Sequence, residues 1–275
     1  MKHNLYIPDL TKFSTRSLFG VLNMIKSGLH FSFVLLVIAI ALYIFFIKYT
    51  VKRGVPPKIR RIPGLDAIDE AIGRAVETGR PIFYSTGVGG LSGDVMPQTL
   101  AGLSLLNYVA RKAAEYKASL TYLAAVPAIV PIAEDMFKSA FRENYKPEQI
   151  LYIPTQTALM ATVMGLYERE KPAANFLLGA LYWETIILAE AGARAGAIQV
   201  GGTGRLYQVP YVVSLCDYGL IAEELLVAGA YVSKELSQLG SVIASDIIRA
   251  IVIGLSILAF VLGGLGFDIS KIFRI

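Results

Sequence analysis

Ile82-Phe83-Tyr84-Ser85-Thr86-Gly87-Val88-Gly89-Gly90-Leu91-Ser92-Gly93-Asp94 is a short apolar strand running straight into a glycine-rich loop. From Pro97 to Tyr116, Leu100, Leu103 and Leu106 then recur at helical spacing and read as an inward face. Strand, loop and helix make one βα unit, and the pattern continues in both directions. Upstream, Leu65, Ile68, Ile72 and Val76 form a helical stripe that Gly79 closes. Downstream, strands are predicted over 120–125, 150–153, 176–178, 198–200 and 211–216. Helices are predicted over 132–145, 155–168, 183–195 and 219–236. Strands alternating with helices of this length predict an α/β fold, a Rossmann-like three-layer domain with a mostly parallel sheet. The connection from Val200 to Tyr211 is too short for a helical crossover, so that last pair is expected to be antiparallel.

Two apolar runs flank this pattern. Phe33 to Ile47 is unbroken except for Tyr43, and 250–267 has Ser256 as its only hydroxyl. A bilayer crossing needs about 20 apolar residues, and both runs come near that length. Lys48, Lys52 and Arg53 follow the first run where a signal peptide would carry small residues for cleavage. The expected organisation is an N-terminal amphipathic or juxtamembrane segment (1–28) and a first transmembrane helix (29–48). A basic linker (49–61), the α/β domain (62–240), a second transmembrane helix (241–267) and a short tail (268–275) follow. Residues 1–28 read equally as an interfacial helix or a soluble cap. Val55-Pro56-Pro57 gives the linker a stiff exit from the membrane.

Lys48, Lys52, Arg53, Lys58, Arg60 and Arg61 follow the first run closely. They outnumber Lys2, Lys12, Arg16 and Lys26 before it. By the positive-inside rule the protein is expected in the cell membrane, multi-pass, with its α/β domain in the cytoplasm. A basic cluster in that position touches anionic headgroups. The lipid bilayer is thus the expected partner, in preference to nucleic acid.

The chain has 275 residues, 55 % of them hydrophobic and 17 % charged, with a net charge of +5. The two runs account for much of the apolar excess. A single cysteine, Cys216, excludes an intramolecular disulfide. Both histidines, His3 and His30, lie before the centre of the first run. The inner domain therefore has no Ser-His-Asp or Cys-His machinery and no histidine for a metal site.

Ligands of an open α/β sheet bind at the carboxyl ends of its strands. Five loops are expected there: 85–94, Val126-Pro127-Ala128, 154–157, 201–205 and Asp217-Tyr218-Gly219. The candidate ligand-binding residues are Ser85, Thr86, Gly87, Gly89, Gly90, Gly93, Thr155, Gln156, Gly201, Gly202, Thr203, Arg205 and Asp217. Glycines let backbone N–H groups approach a phosphate or carboxylate, so a small anionic ligand is one expectation. The first loop departs from the dinucleotide fingerprint at Ser92, and no Lys-Ser or Lys-Thr pair makes it a Walker loop. Flexible turn or subunit contact is its competing reading. Gly201-Gly202-Thr203-Gly204-Arg205 reads as an anion cradle with Arg205 as partner, or as a tight hairpin. Asp217 reads as a ribose or metal ligand, or as a helix cap.

Ser85 after a strand lacks both a nucleophile-elbow context and a base. Glu134, Asp135, Glu184, Glu190, Glu223 and Glu224 have spacings that make no acid/base or metal pair, and solvated helix faces explain them. Cys216 is read as a buried small hydrophobe on an apolar strand, and Trp183 as core or interface. No metal site is expected, no cofactor is indicated, and the residues do not decide whether the protein is an enzyme.

Across the 62–71 stretch Ile-Pro-Gly-Leu-Asp-Ala-Ile-Asp-Glu-Ala, at Tyr84-Ser85-Thr86-Gly87, and at Gly196-Ala197-Ile198-Gln199-Val200-Gly201-Gly202, the chain resembles an uncharacterised family. That family groups membrane-anchored prokaryotic proteins under a domain of unknown function. The resemblance implies a prokaryotic membrane protein with an α/β domain and supplies no catalytic residues. Together these readings predict a membrane-anchored cytoplasmic module, acting by homo-oligomeric assembly or partner docking. The alternative is a nucleotide- or anion-binding module, or an enzyme, using the crevice at the strand ends.

Overall fold

The computed structural model describes residues 30–54, 62–233 and 236–265. The chain divides into two compact units, Pro57–Glu235 on the one hand and Met1–Pro56 with Leu236–Ile275 on the other. The segment 1–28, the Pro56-Pro57 exit with Lys58, Arg60 and Arg61, and the tail 268–275 lie outside the described residues.

The larger unit is an α/β domain. In chain order its main elements are α2 (Pro63–Thr78), β1 (Ile82–Gly87), α3 (Met96–Glu115), β2 (Leu120–Ala124) and α4 (Val130–Phe141). Next come β3 (Ile150–Tyr152), α5 (Gln156–Glu170), β4 (Ala174–Ala180) and α6 (Glu184–Ala195). The series ends with β5 (Ile198–Thr203), α7 (Val209–Leu215), β6 (Tyr218–Ile221) and α8 (Glu223–Ser233). All six strands are parallel, in the order β3-β2-β1-β4-β5-β6. That is the doubly wound order of Rossmann folds, whose switch point lies between β1 and β4.

The layers follow from strand alternation. Ile82, Tyr84, Tyr122, Phe176, Leu178 and Val200 face the larger core, which α2, α3, α4 and α8 cover. Phe83, Leu123 and Leu177 face the smaller core under α5 and α6. β1 and β4 are buried along their whole lengths, as strands covered on both faces should be. α2 starts on Pro63 and stops at Gly79, whose φ of 67° is the left-handed end of a helix. Tyr84 donates to the Gly102 carbonyl at 2.6 Å. A Cβ at Gly102 would lie 2.2 Å from the Leu178 carbonyl oxygen, so α3 crosses β4 at a distance only glycine permits. Leu100, read as inward, is exposed, while Leu103 and Leu106 are buried.

Three local expectations are corrected. Residues 211–216, read as a strand, form most of α7, whose Pro210 sits in the first turn as proline does in helices. This seven-residue helix is a sufficient crossover, so β5 and β6 are parallel. The last helix begins at Glu223, because Tyr218–Ile221 is strand β6.

The smaller unit contains α1 (His30–Arg53) and α9 (Leu236–Gly264). Each is long and apolar enough to cross a membrane, over Phe33–Arg53 and Leu239–Gly264. They pack on each other where Gly240 meets Ile47 and Thr50, and Thr50, Leu239 and Ala244 are buried in the seam. Small residues at such a seam let helix backbones approach closely.

Candidate functional site

The carboxyl ends of the strands are where a doubly wound sheet would hold a ligand, and here those of β1 and β4 are tied together. Gly89 N–H donates to the Ala180 carbonyl at 3.2 Å, which bridges the ends of β1 and β4 at the switch point. A Cβ on Gly87 would stand 2.5 Å from that carbonyl oxygen, and Gly87 has a φ of 78°. The ends of β1 and β4 therefore approach each other closely, backbone against backbone.

The candidate hydroxyls are engaged in hydrogen bonds within the chain. Ser85 Oγ donates to the Leu123 carbonyl at 3.3 Å and accepts from Gly87 N–H at 3.2 Å. Thr86 Oγ1 and the Tyr122 hydroxyl share a hydrogen bond of 2.7 Å. Gly90 and Gly93 border open space. Thr155 caps α5, accepting from Ala158 N–H at 3.1 Å. Gly201 and Gly202 lie inside β5, packed against Cys216 with Val212 and against Leu178 with Leu225. They form neither a cradle nor a hairpin turn; they let helices approach the strand. Thr203 is buried and accepts from Arg205 N–H at 3.2 Å. Asp217 stands apart from the rest. It precedes β6 and accepts from Gln199 N–H at 2.8 Å, near the amino end of β5 and therefore at the opposite end of the sheet.

Arg205 is the one candidate around which side chains gather. Its guanidinium lies 4.3 Å from the centre of the Tyr182 ring and 5.5 Å from that of Tyr207. It donates to the Tyr207 hydroxyl and, at 3.2 Å, to Asp94 Oδ2 in the glycine-rich loop. One residue earlier, Gly204 N–H donates to Gln98 Oε1 at 3.1 Å. Loops after β1, β4 and β5 thus meet at this arginine. In the 3-10 turn of Leu206–Gln208, Gln208 is 3 % exposed and its amide oxygen has no partner.

Glu184 corrects a sequence reading. It was expected on a solvated helix face, yet it is fully buried at the start of α6. Gln156 Nε2 donates to one of its oxygens at 2.5 Å, and the other has no partner. The gap of six to Glu190 concealed this, because burial at a helix start depends on the neighbouring helix, here α5. Cys216 lies between α7 and β6 rather than on a strand, and burial, with Asp217 beside it, pushes its thiol up to about 12. Among the described residues no three His, Cys, Asp or Glu side chains gather into a metal-sized cluster.

Exposed apolar side chains flank the residues of this cluster in the chain. Leu206 is 82 % exposed and Trp183 54 %, and Tyr207 and Met96 are exposed beside them. From Leu206 through Cys216 there is no charged residue. Tyr182, Tyr207, Gln98 and Gln208 were not singled out in the sequence. The signal that was there is this charge-free run with aromatic residues next to a lone arginine.

A family model, described as a domain of unknown function (DUF6754), matches residues 22–273. The chain belongs to that family. The match takes in both long helices as well as the sheet, so the DUF6754 domain includes its apolar ends. No curated protein and no solved structure matches the chain.

Proposed function

We propose that this DUF6754 chain is a membrane-tethered assembly module whose copies associate laterally through the apolar rim at the strand ends. The observation that carries this reading is the set of exposed apolar side chains on and beside the loops that meet at Arg205. Met96, Trp183, Leu206 and Tyr207 are exposed, and the ends of β1 and β4 approach closely through Gly87, Gly89 and Ala180. Apolar area of this kind is stabilised by burial against a partner, and aromatic residues dominate such contacts. Two spanning helices would hold the domains on one surface, where raised effective concentration makes weak contacts productive. In this reading the chain is a multi-pass membrane protein with its domain on the cytoplasmic side, an orientation that Lys48, Lys52 and Arg53 after the first span support.

Native mass spectrometry of the full chain in detergent, across a concentration series, tests the reading. Oligomers are expected, and Leu206→Glu combined with Trp183→Ser should shift them to monomer while the melting temperature holds. Monomers alone at every concentration would remove self-association and leave docking of a different protein as the use of the rim.

A further inference from the structure

We infer that Arg205 is a receptor for a phosphate or carboxylate group, and that Asp94 is the internal anion occupying it while the glycine-rich loop is closed. The two partners are unequal. The Arg205 side chain is 13 % exposed and fixed between the Tyr182 and Tyr207 rings, whereas the Asp94 side chain is 89 % exposed. The cation is built into the fold, and its anion arrives from a loop. Gly90 and Gly93 in that loop border open space, Gly93 has a φ of 68°, and the loop is held elsewhere by Gly89, which bonds to Ala180 and Thr99, and by Leu91, which packs on the core.

A guanidinium offers five donors in a rigid fork, matched to the paired oxygens of a carboxylate or phosphate. The bonds to Asp94 and Tyr207 leave part of that fork for an incoming group. Stacking on Tyr182 and Tyr207 keeps the fork oriented when Asp94 leaves, so the receptor is preorganised. Gln208 helps fix the backbone at the arginine. It closes the turn with Arg205, its N–H donating to the Arg205 carbonyl at 3.0 Å, and its buried side-chain amide holds an unpaired atom.

An anion on Arg205 displaces Asp94 and frees the loop between β1 and α3, which forms one side of the apolar rim. Binding therefore changes the surface offered to a second copy. The anion site itself does not require that association to occur.

Trp183 is the only tryptophan in the chain and follows Tyr182 directly, so its fluorescence reports on the site. The full chain in phosphatidylcholine nanodiscs is titrated with inorganic phosphate, with sodium chloride holding ionic strength constant. A saturable change is expected with phosphate and none with chloride alone. Asp94→Asn removes the internal competitor. Exposed ion pairs are weak, so it should tighten phosphate binding by about two- to fivefold. Arg205→Gln should abolish the response. A second arm replaces part of the phosphatidylcholine with phosphatidic acid and omits soluble phosphate. A response there identifies a lipid headgroup as the source, and a response only in the first arm identifies a soluble ester. No saturable response in either arm overturns the inference. So does an Asp94→Asn chain that binds no more tightly than the unaltered one, or an Arg205→Gln chain of unchanged melting temperature that still responds.

Discussion

Gly102 and Gly93 show how differently one residue type is used in this chain. At Gly102 a side chain would run into the carbonyl of Leu178 in β4, and only movement of α3 could relieve it. Gly102→Ala is expected to cost about 3 kcal/mol through overpacking and to lower the melting temperature of the detergent-solubilised protein clearly. Gly93→Ala meets no atom and pays only for a left-handed backbone, about 1–2 kcal/mol. Comparing the two melts checks the assignment. Side-chain ionisation adds a pH limit. Burial raises the thiol of Cys216 to about 12 and raises the hydroxyls of Tyr84, Tyr122 and Tyr167. In the unfolded chain the thiol loses its proton near pH 8.5 and the phenols near 10. Above those values the unfolded state binds fewer protons than the native state, so stability falls as pH rises. Denaturant midpoints should be flat from pH 7 to about 8 and decline from there through pH 11, and Cys216→Ala should remove the earliest part of the decline.

Elements here are held at their ends as much as along their faces. Arg80, just before β1, donates to the carbonyls of Lys171, Pro172 and Ala195, which lie at the ends of α5 and α6. One cation thus satisfies carbonyls that helix ends leave unpaired. Arg80→Gln should cost about 2 kcal/mol and speed hydrogen exchange in the last turns of α5 and α6 while leaving α3 unchanged. Between those helices and the sheet, Tyr167, Asn175, Gln199 and the Leu215 carbonyl form a connected set of buried hydrogen bonds. Hydrophobic period revealed these elements wherever it was strong, as in α2, β1 and α3. It failed at α7, where Val-Pro-Tyr-Val-Val reads as strand by composition and the neighbouring Gly201, packed against Val212, makes room for a helix. Glu184 was illegible for a related reason, since its burial comes from α5, twenty-eight residues away. Arg205 was visible as a candidate, but Tyr182 and Asp94 reach it through folding, which no local spacing records.

At the scale of the whole molecule, the order of apolar and α/β segments predicts where the chain can be cut. Protease applied outside intact cells should spare residues 62–240, and the same protease on inverted vesicles should cut there. Cleavage from outside would reverse the orientation proposed above. The strand order of a dinucleotide-binding fold occurs here without that fold's glycine fingerprint, from which the first loop departs at Ser92, so topology alone does not assign that fold's usual ligand.

Gly240 lying against Ile47 and Thr50 has a mechanical result. The seam between the two long helices acts as a clasp, and everything from 57 to 235 is a loop strung between its jaws. A looped polymer has fewer disordered arrangements than a free one. For a loop longer than a hundred residues that difference is about 4–5 kcal/mol, lost when a single peptide bond in the connector at 55–61 is cut, without any atom of the sheet being touched.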